Sequence, residues 1–167
     1  MHSKFLLIIL CAWNFVGAQV LLEAQPYGVV VSAVTEAETN LIVMSSQLDQ
    51  ALYDAITAAA QTIIENPAEV IPSQEITVEG GEGNVYIIRG ETPLPNEANL
   101  IAMGIQVRAL PEDFPEALVI TDFKNILAAA ADEAGTLASY PWDTVALEEP
   151  IETVIQDFGE YWKAASP

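Results

Sequence analysis

The sequence predicts an α+β domain that is mainly helical: a long central helix, two or three further helices packed around it, and one β-hairpin. Three observations predict it. Residues 35–67 carry a helix start, an apolar stripe and a stop. Two later stretches, 113–134 and 150–165, repeat that plan. Between the first stretch and these two, around a glycine-rich loop, the apolar spacing drops to two.

In chain order, Val20-Leu21-Leu22 leads to a turn at Gln25-Pro26-Tyr27-Gly28 and then to Val29–Val34. The β-branched run favours a strand. Val30, Val34, Ala37, Leu41, Met44 and Leu48 nevertheless hold helical spacing, so 29–34 stays open between strand and helix. Thr35-Glu36-Ala37-Glu38 has the spacing of a capping box, which places an extended segment before it. Leu41, Leu48, Leu52, Ile56, Ala59 and Ile63 then recur every three to four residues along one face, and Asn66-Pro67 ends the run. A helix of roughly 30 residues is about 45 Å long. Its polar face, Glu36, Glu38, Asp49, Asp54 and Glu65, has no Lys or Arg to pair with, so packing must hold it.

Ile76-Thr77-Val78 and Val85-Tyr86-Ile87-Ile88 flank Glu79–Asn84, where glycines and Asn tolerate positive φ; this predicts the hairpin. A lone hairpin is marginal in water. A third strand, from 29–34 or 101–107, would make it a small antiparallel sheet. Residues 97–110 also stay open: Asn96 can cap a helix, while Gly104 and the alternation of Ile105 and Val107 suit a strand. Asp113-Phe114-Pro115-Glu116 predicts a helix start, with Leu118, Val119, Phe123, Ile126, Leu127, Ala130, Ala131 and Ala134 at helical spacing behind it. Ser139–Asp143 reads as an aromatic turn folded over the core. A last helix begins at Pro150, with stripe Ile151, Val154, Ile155, Phe158, Trp162 and Ala165.

The first residues predict the destination. Met1–Lys4 is short and positive, Phe5–Val16 is apolar except for Asn14, and Val16-Gly17-Ala18 suits a signal peptidase. The sequence thus divides into a signal peptide, 1–18, and a single secreted globular domain, 19–167. The apolar run falls short of the ~20 residues that span a bilayer, so no membrane insertion is expected. Cleavage removes Cys11, the one cysteine, and His2, the one histidine. The mature chain is cysteine-free and must be stabilised by core burial; its apolar content of 51% makes that feasible.

The whole chain has formal net charge −19. Lys4 leaves with the signal, which sets Arg89, Arg108, Lys124 and Lys163 against 24 carboxylates, a charge of −20. Such an acidic protein repels nucleic acid and anionic membrane. The partners it suits are a basic extracellular protein or weakly bound divalent cations on the pairs Glu112/Asp113, Asp132/Glu133 and Glu148/Glu149.

Without a mature His or Cys there is no Ser-His-Asp or Cys-His nucleophile and no ordinary zinc, copper or haem site. Neither the dinucleotide-binding nor the phosphate-loop glycine pattern occurs, so no cofactor is expected. Gly80-Gly81-Glu82-Gly83-Asn84-Val85 begins like a calcium-binding turn but has Val85 where the liganding aspartate belongs. Catalytic residues are therefore expected to be none. The expected function is a non-catalytic, acidic interaction or structural component of an extracellular fluid or gland secretion. The alternative is a carrier that binds a small apolar ligand between helices, lined by Met44, Met103, Phe123, Trp142, Phe158 and Trp162; residues of these types at helical spacing more often form plain core.

Overall fold

A computed structural model describes residues 21–65, 85–114, 116–129, 135–146 and 152–167. The expected signal peptide, the expected hairpin arm at 76–78 and its loop at 79–84 lie outside them. So do the acidic pairs at 132/133 and 148/149.

The architecture is α/β, not mainly helical. Seven strands form one mixed sheet: β1 (Leu21–Gln25), β2 (Leu41–Ser45), β3 (Val85–Arg89), β4 (Gln106–Ala109), β5 (Ala117–Thr121), β6 (Asn125–Ala129) and β7 (Trp142–Ala146). Their order across the sheet is β1-β7-β6-β5-β2-β3-β4. β2, β3 and β4 are mutually parallel, while β5 joins β2, and every later pair to β1 joins, antiparallel. Four helices accompany the strands among the described residues: α1 (Tyr27–Thr35), α2 (Gln50–Glu65), α3 (Glu97–Ala102) and α4 (Glu152–Ala164).

The long central helix expected at 35–67 is therefore a strand, β2, followed by a shorter helix, α2, and α1 ends at Thr35, where it was to begin. Leu41-Ile42-Val43-Met44-Ser45 is buried at every position, as a strand covered on both faces must be. Because its first four positions are all apolar, it also satisfies helical spacing at Leu41 and Met44. Helix α2 starts later. Its cap is Asp49, whose Oδ1 accepts from the amide of Leu52 at 2.8 Å, the pattern of an N-cap carboxylate. Thr35, the expected cap, instead ends α1, where its hydroxyl donates to the Val31 carbonyl at 2.8 Å. Residues 29–34 are helical, and 97–110 divides into α3 and β4 across Gly104, whose φ is +87°.

The expected hairpin is corrected too. Both edges of β3 are occupied by parallel neighbours, Leu41 opposite Val85 on one side and Gln106 opposite Tyr86 on the other. No edge along β3 is left for an antiparallel arm. The helix expected from 113 is a true hairpin, β5–β6, turning at Asp122 and Phe123 with φ of 53° and 50°. The amide of Lys124 donates to the Thr121 carbonyl at 3.0 Å. Positive φ at both central residues is what a tight hairpin turn requires. Tyr140 follows a short 3-10 turn, Leu137–Ser139, and Trp142 opens β7 rather than a lid.

Alternation along the strands divides the core in two. Leu41, Val43, Val85, Ile87, Val119 and Leu127 face α1, α2 and α3, together with Val30, Leu52, Ile56 and Leu100. Ile42, Met44, Tyr86, Ile88, Leu118 and Ile120 face α4, through Phe158, Trp162 and Ala165. The predicted stripe of the last helix holds at those three residues. Beyond α4, Ser166 exchanges two backbone hydrogen bonds with Ala109, at 2.7 and 2.9 Å. That covers the outer edge of β4, an edge otherwise open to pairing with other chains.

Candidate functional site

Polar side chains gather at both ends of the sheet. At the carboxyl end of β2, Ser45 Oγ donates to the Gln47 carbonyl at 2.7 Å and accepts its amide at 3.1 Å. Gln47 Nε2 donates to Tyr140 Oη at 2.7 Å and to the Gly135 carbonyl at 3.0 Å. Beside them Ser46 Oγ accepts from the Phe114 amide at 2.7 Å. Both Asp113 oxygens take hydrogen bonds from Thr92, at 2.9 Å from its amide and 2.7 Å from its hydroxyl. These bonds hold the Asp113 carboxyl below the usual carboxylate range. Gly90 lets the loops close: a Cβ there would fall 2.6 Å from Asp113 Cα.

The same end carries Glu116, which is only 6% exposed and has neither carboxylate oxygen hydrogen-bonded. Burial pushes the Tyr140 hydroxyl above its ordinary range, and the charge of Glu116 adds to that rise. Tyr27 donates to Asp49 Oδ1 at 2.8 Å and stacks on Trp142 with ring centres 6.0 Å apart. Burial, the hydrogen bond and the Asp49 charge together raise the Tyr27 hydroxyl far above its usual range. Neither tyrosine is poised to ionise near neutral pH.

At the opposite end, Asp122 Oδ1 accepts from the amides of Glu38 (2.9 Å), Thr39 (2.8 Å) and Asn40 (3.4 Å) and from Thr39 Oγ1 (3.0 Å). Burial pushes the Asp122 carboxyl up, but these hydrogen bonds together outweigh it and hold the group below its ordinary value. Asn40 completes the clamp: its side-chain oxygen accepts from the Phe123 amide at 3.0 Å, and its carbonyl from the Asp122 amide at 3.0 Å.

Next to this clamp a cleft of about 400 Å³ opens between α1 and the sheet. It is lined by Val29, Ala33, Glu36, Glu38, Thr121, Asp122, Asn125, Leu127 and Thr144. Val29 and Ala33 lie one turn apart on α1, and Leu127 pairs with Thr144 across β6 and β7. The cleft has an apolar wall, a polar floor and three carboxylates, with no basic residue in its lining. No group of three or more His, Cys, Asp or Glu side chains placed to hold a metal ion occurs among the described residues.

The six residues proposed to line an apolar pocket are not brought together. Met44, Phe158 and Trp162 belong to the core under α4, with Phe123 packed against it. Trp142 lies in the core on the other face, with Met103 against its margin. The sheet runs between the two groups. Trp162 is in an aromatic cluster, edge-on to Tyr86 with centres 5.2 Å apart and 5.9 Å from Phe158, and the Arg108 guanidinium sits 4.6 Å over its ring. The cleft was not found by sequence reasoning. Glu36, Glu38 and Asp122 come together only through the clamp, a contact across more than eighty residues.

No protein-family model and no curated protein sequence matches the chain. Solved structures do. One is an archaeal chromatin protein, TrmBL2, described with a novel mode of DNA binding, at 15% identity and TM-score 0.55; the match covers 95% of this chain and 58% of that one. Another is Nuc from Salmonella typhimurium, a phospholipase D family member, at 17% identity and TM-score 0.51, covering 87% of this chain and 92% of that one. At such identities the likeness is one of fold: a seven-strand mixed α/β sheet resembling that of the phospholipase D family member.

Proposed function

We propose that this is a secreted, non-catalytic acidic protein that acts by binding, and that its partner is a basic extracellular protein. The observation that carries the reading is how the charge is distributed. Of the four basic residues after Lys4, Arg89 lies 2.6 Å from Glu97, Lys163 lies 3.1 Å from Glu160, and Arg108 donates to the Trp162 carbonyl at 2.8 Å while stacking on its ring. Most of the 24 carboxylates thus have no cation within the chain to answer them. Solved structures of similar fold include a chromatin protein described with DNA binding and a phospholipase D family member. A charge of −19 repels phosphate backbones, so a nucleic-acid ligand is the weaker choice here. The non-catalytic part rests on residue supply: after His2 and Cys11 no imidazole or thiol remains to act as nucleophile or proton shuttle.

A labelled decalysine peptide tests the reading. The full mature chain should bind it at low salt and release it as ionic strength passes physiological, where exposed charges are screened within about 8 Å. Absence of binding, or binding indifferent to salt, would sink the proposal. Expression with the native leader tests secretion: the exported chain should begin at Gln19, and an intact amino terminus retained in the cell would refute it.

A further inference from the structure

The geometry points to the cleft between α1 and the sheet as the place where the partner is gripped, by one extended lysine or arginine side chain. This rests on the reading that the partner is basic. The cleft, of about 400 Å³ and open to solvent, has room for one such side chain. Its lining is divided as such a side chain is divided. Val29, Ala33 and Leu127 offer an apolar wall for a hydrocarbon stem, and Glu36, Glu38 and Asp122 offer carboxylates for the charged head. Lysine and arginine bury the stem along apolar surface and keep the head among polar groups.

Two further observations and one physical argument favour this occupant. Val29 is 42% exposed, and the other two large hydrophobics exposed among the described residues, Ile64 and Ile101, do not line the cleft. An apolar side chain is therefore presented to solvent beside the carboxylates. Asp122 is already fixed by four hydrogen bonds, all on Oδ1, so little ordering is needed for it to accept a cation. An uncharged apolar occupant would desolvate three carboxylates without pairing them, and an anion would be repelled.

The experiment compares two charge-matched variants of the full mature chain for decalysine binding. Glu36→Lys/Glu38→Lys alters the cleft; Glu91→Lys/Glu112→Lys alters exposed acids elsewhere and changes net charge equally. Asp122 is left intact because it holds the fold. The cleft pair should weaken binding about tenfold or more and the control pair only about two- to threefold, since remote charges act through screened, long-range attraction. Val29→Ser, which changes no charge, should weaken binding a few-fold, as loss of the apolar wall demands. Unchanged melting temperatures confirm that each variant is folded. Equal weakening by the two pairs, or no effect of Val29→Ser, overturns the cleft while leaving a basic partner in place. Failure of the unaltered chain to bind decalysine overturns both.

Discussion

Two carboxylates illustrate opposite uses of the same group. Asp122 is tied by three backbone amides and a hydroxyl from the segment joining α1 to β2. Removing it leaves those exposed and half-buried amides without their acceptor, and hydrogen bonds to a charged group contribute about 1.5–3 kcal/mol. Asp122→Ala should lower stability by about 2 kcal/mol at neutral pH, read from denaturant midpoints. The pH sign follows from its lowered value. The stabilisation is fully present above the unfolded carboxyl range, about pH 4, and is lost as pH falls through the lower folded value. Stability of the Asp122→Ala variant should therefore fall less steeply below about pH 4 than that of the parent. An acid limb of unchanged slope would refute the role. Glu116 is the reverse case, buried without a hydrogen bond to either oxygen. A side chain of similar size without charge avoids that desolvation, so Glu116→Leu should raise stability by about 1–3 kcal/mol. A destabilised variant would show that the carboxylate is doing structural duty.

At the scale of elements, α4 is the clearest case of a sequence pattern that states its own packing. Phe158, Trp162 and Ala165 follow helical spacing and are the residues buried against Tyr86 and Ile88. Trp162 is 1% exposed, so Trp162→Ala should cost about 3–5 kcal/mol. It should also release the Arg108 guanidinium from its stacking partner and unsettle the Ser166–Ala109 edge contact. Thermal unfolding measures the first effect, and amide exchange at Ala109 the second. The helix was legible because one of its faces is polar. The strands were not, for the converse reason. Residues 41–45 and 117–121 are buried on both faces, so they have no polar alternation to mark period two, and any continuous apolar run also fits a helical stripe. The β5–β6 turn was hidden because Asp122 and Phe123 take the left-handed conformation without a glycine to announce it. The pairing of β3 was missed because a parallel partner is set by a crossover, not by the neighbouring turn. Of the candidate cleft, only the acidity was legible; its assembly depends on the Asp122 clamp, which no local spacing encodes.

For the whole molecule, the sheet must remain folded against its own charge. A formal charge of −19 on 167 residues is opposed chiefly by two core layers that close over both faces of the sheet. Among the described residues the internal ion pairs are two, and the one between Lys163 and Glu160 is largely exposed and contributes little. Net repulsion, not ion pairing, should therefore dominate the response to salt. Sodium chloride raised from about 0.01 M to 0.5 M shortens the screening length from about 30 Å to a few ångströms. The unfolded chain, being expanded, holds its charges further apart and gains less from that screening. The melting temperature should thus rise with salt, by about 2–4 °C for each kcal/mol gained in a domain of this size. Lowering pH from 7 toward the isoelectric point of about 4.1 should act in the same direction, until loss of the Asp122 hydrogen bonds reverses the trend. Scanning calorimetry across salt at pH 7 checks the first half, since a protein held by ion pairs would instead melt earlier as salt increases. The same salt that weakens binding of a basic partner should strengthen the fold, and these opposite slopes separate charge used for recognition from charge used for stability.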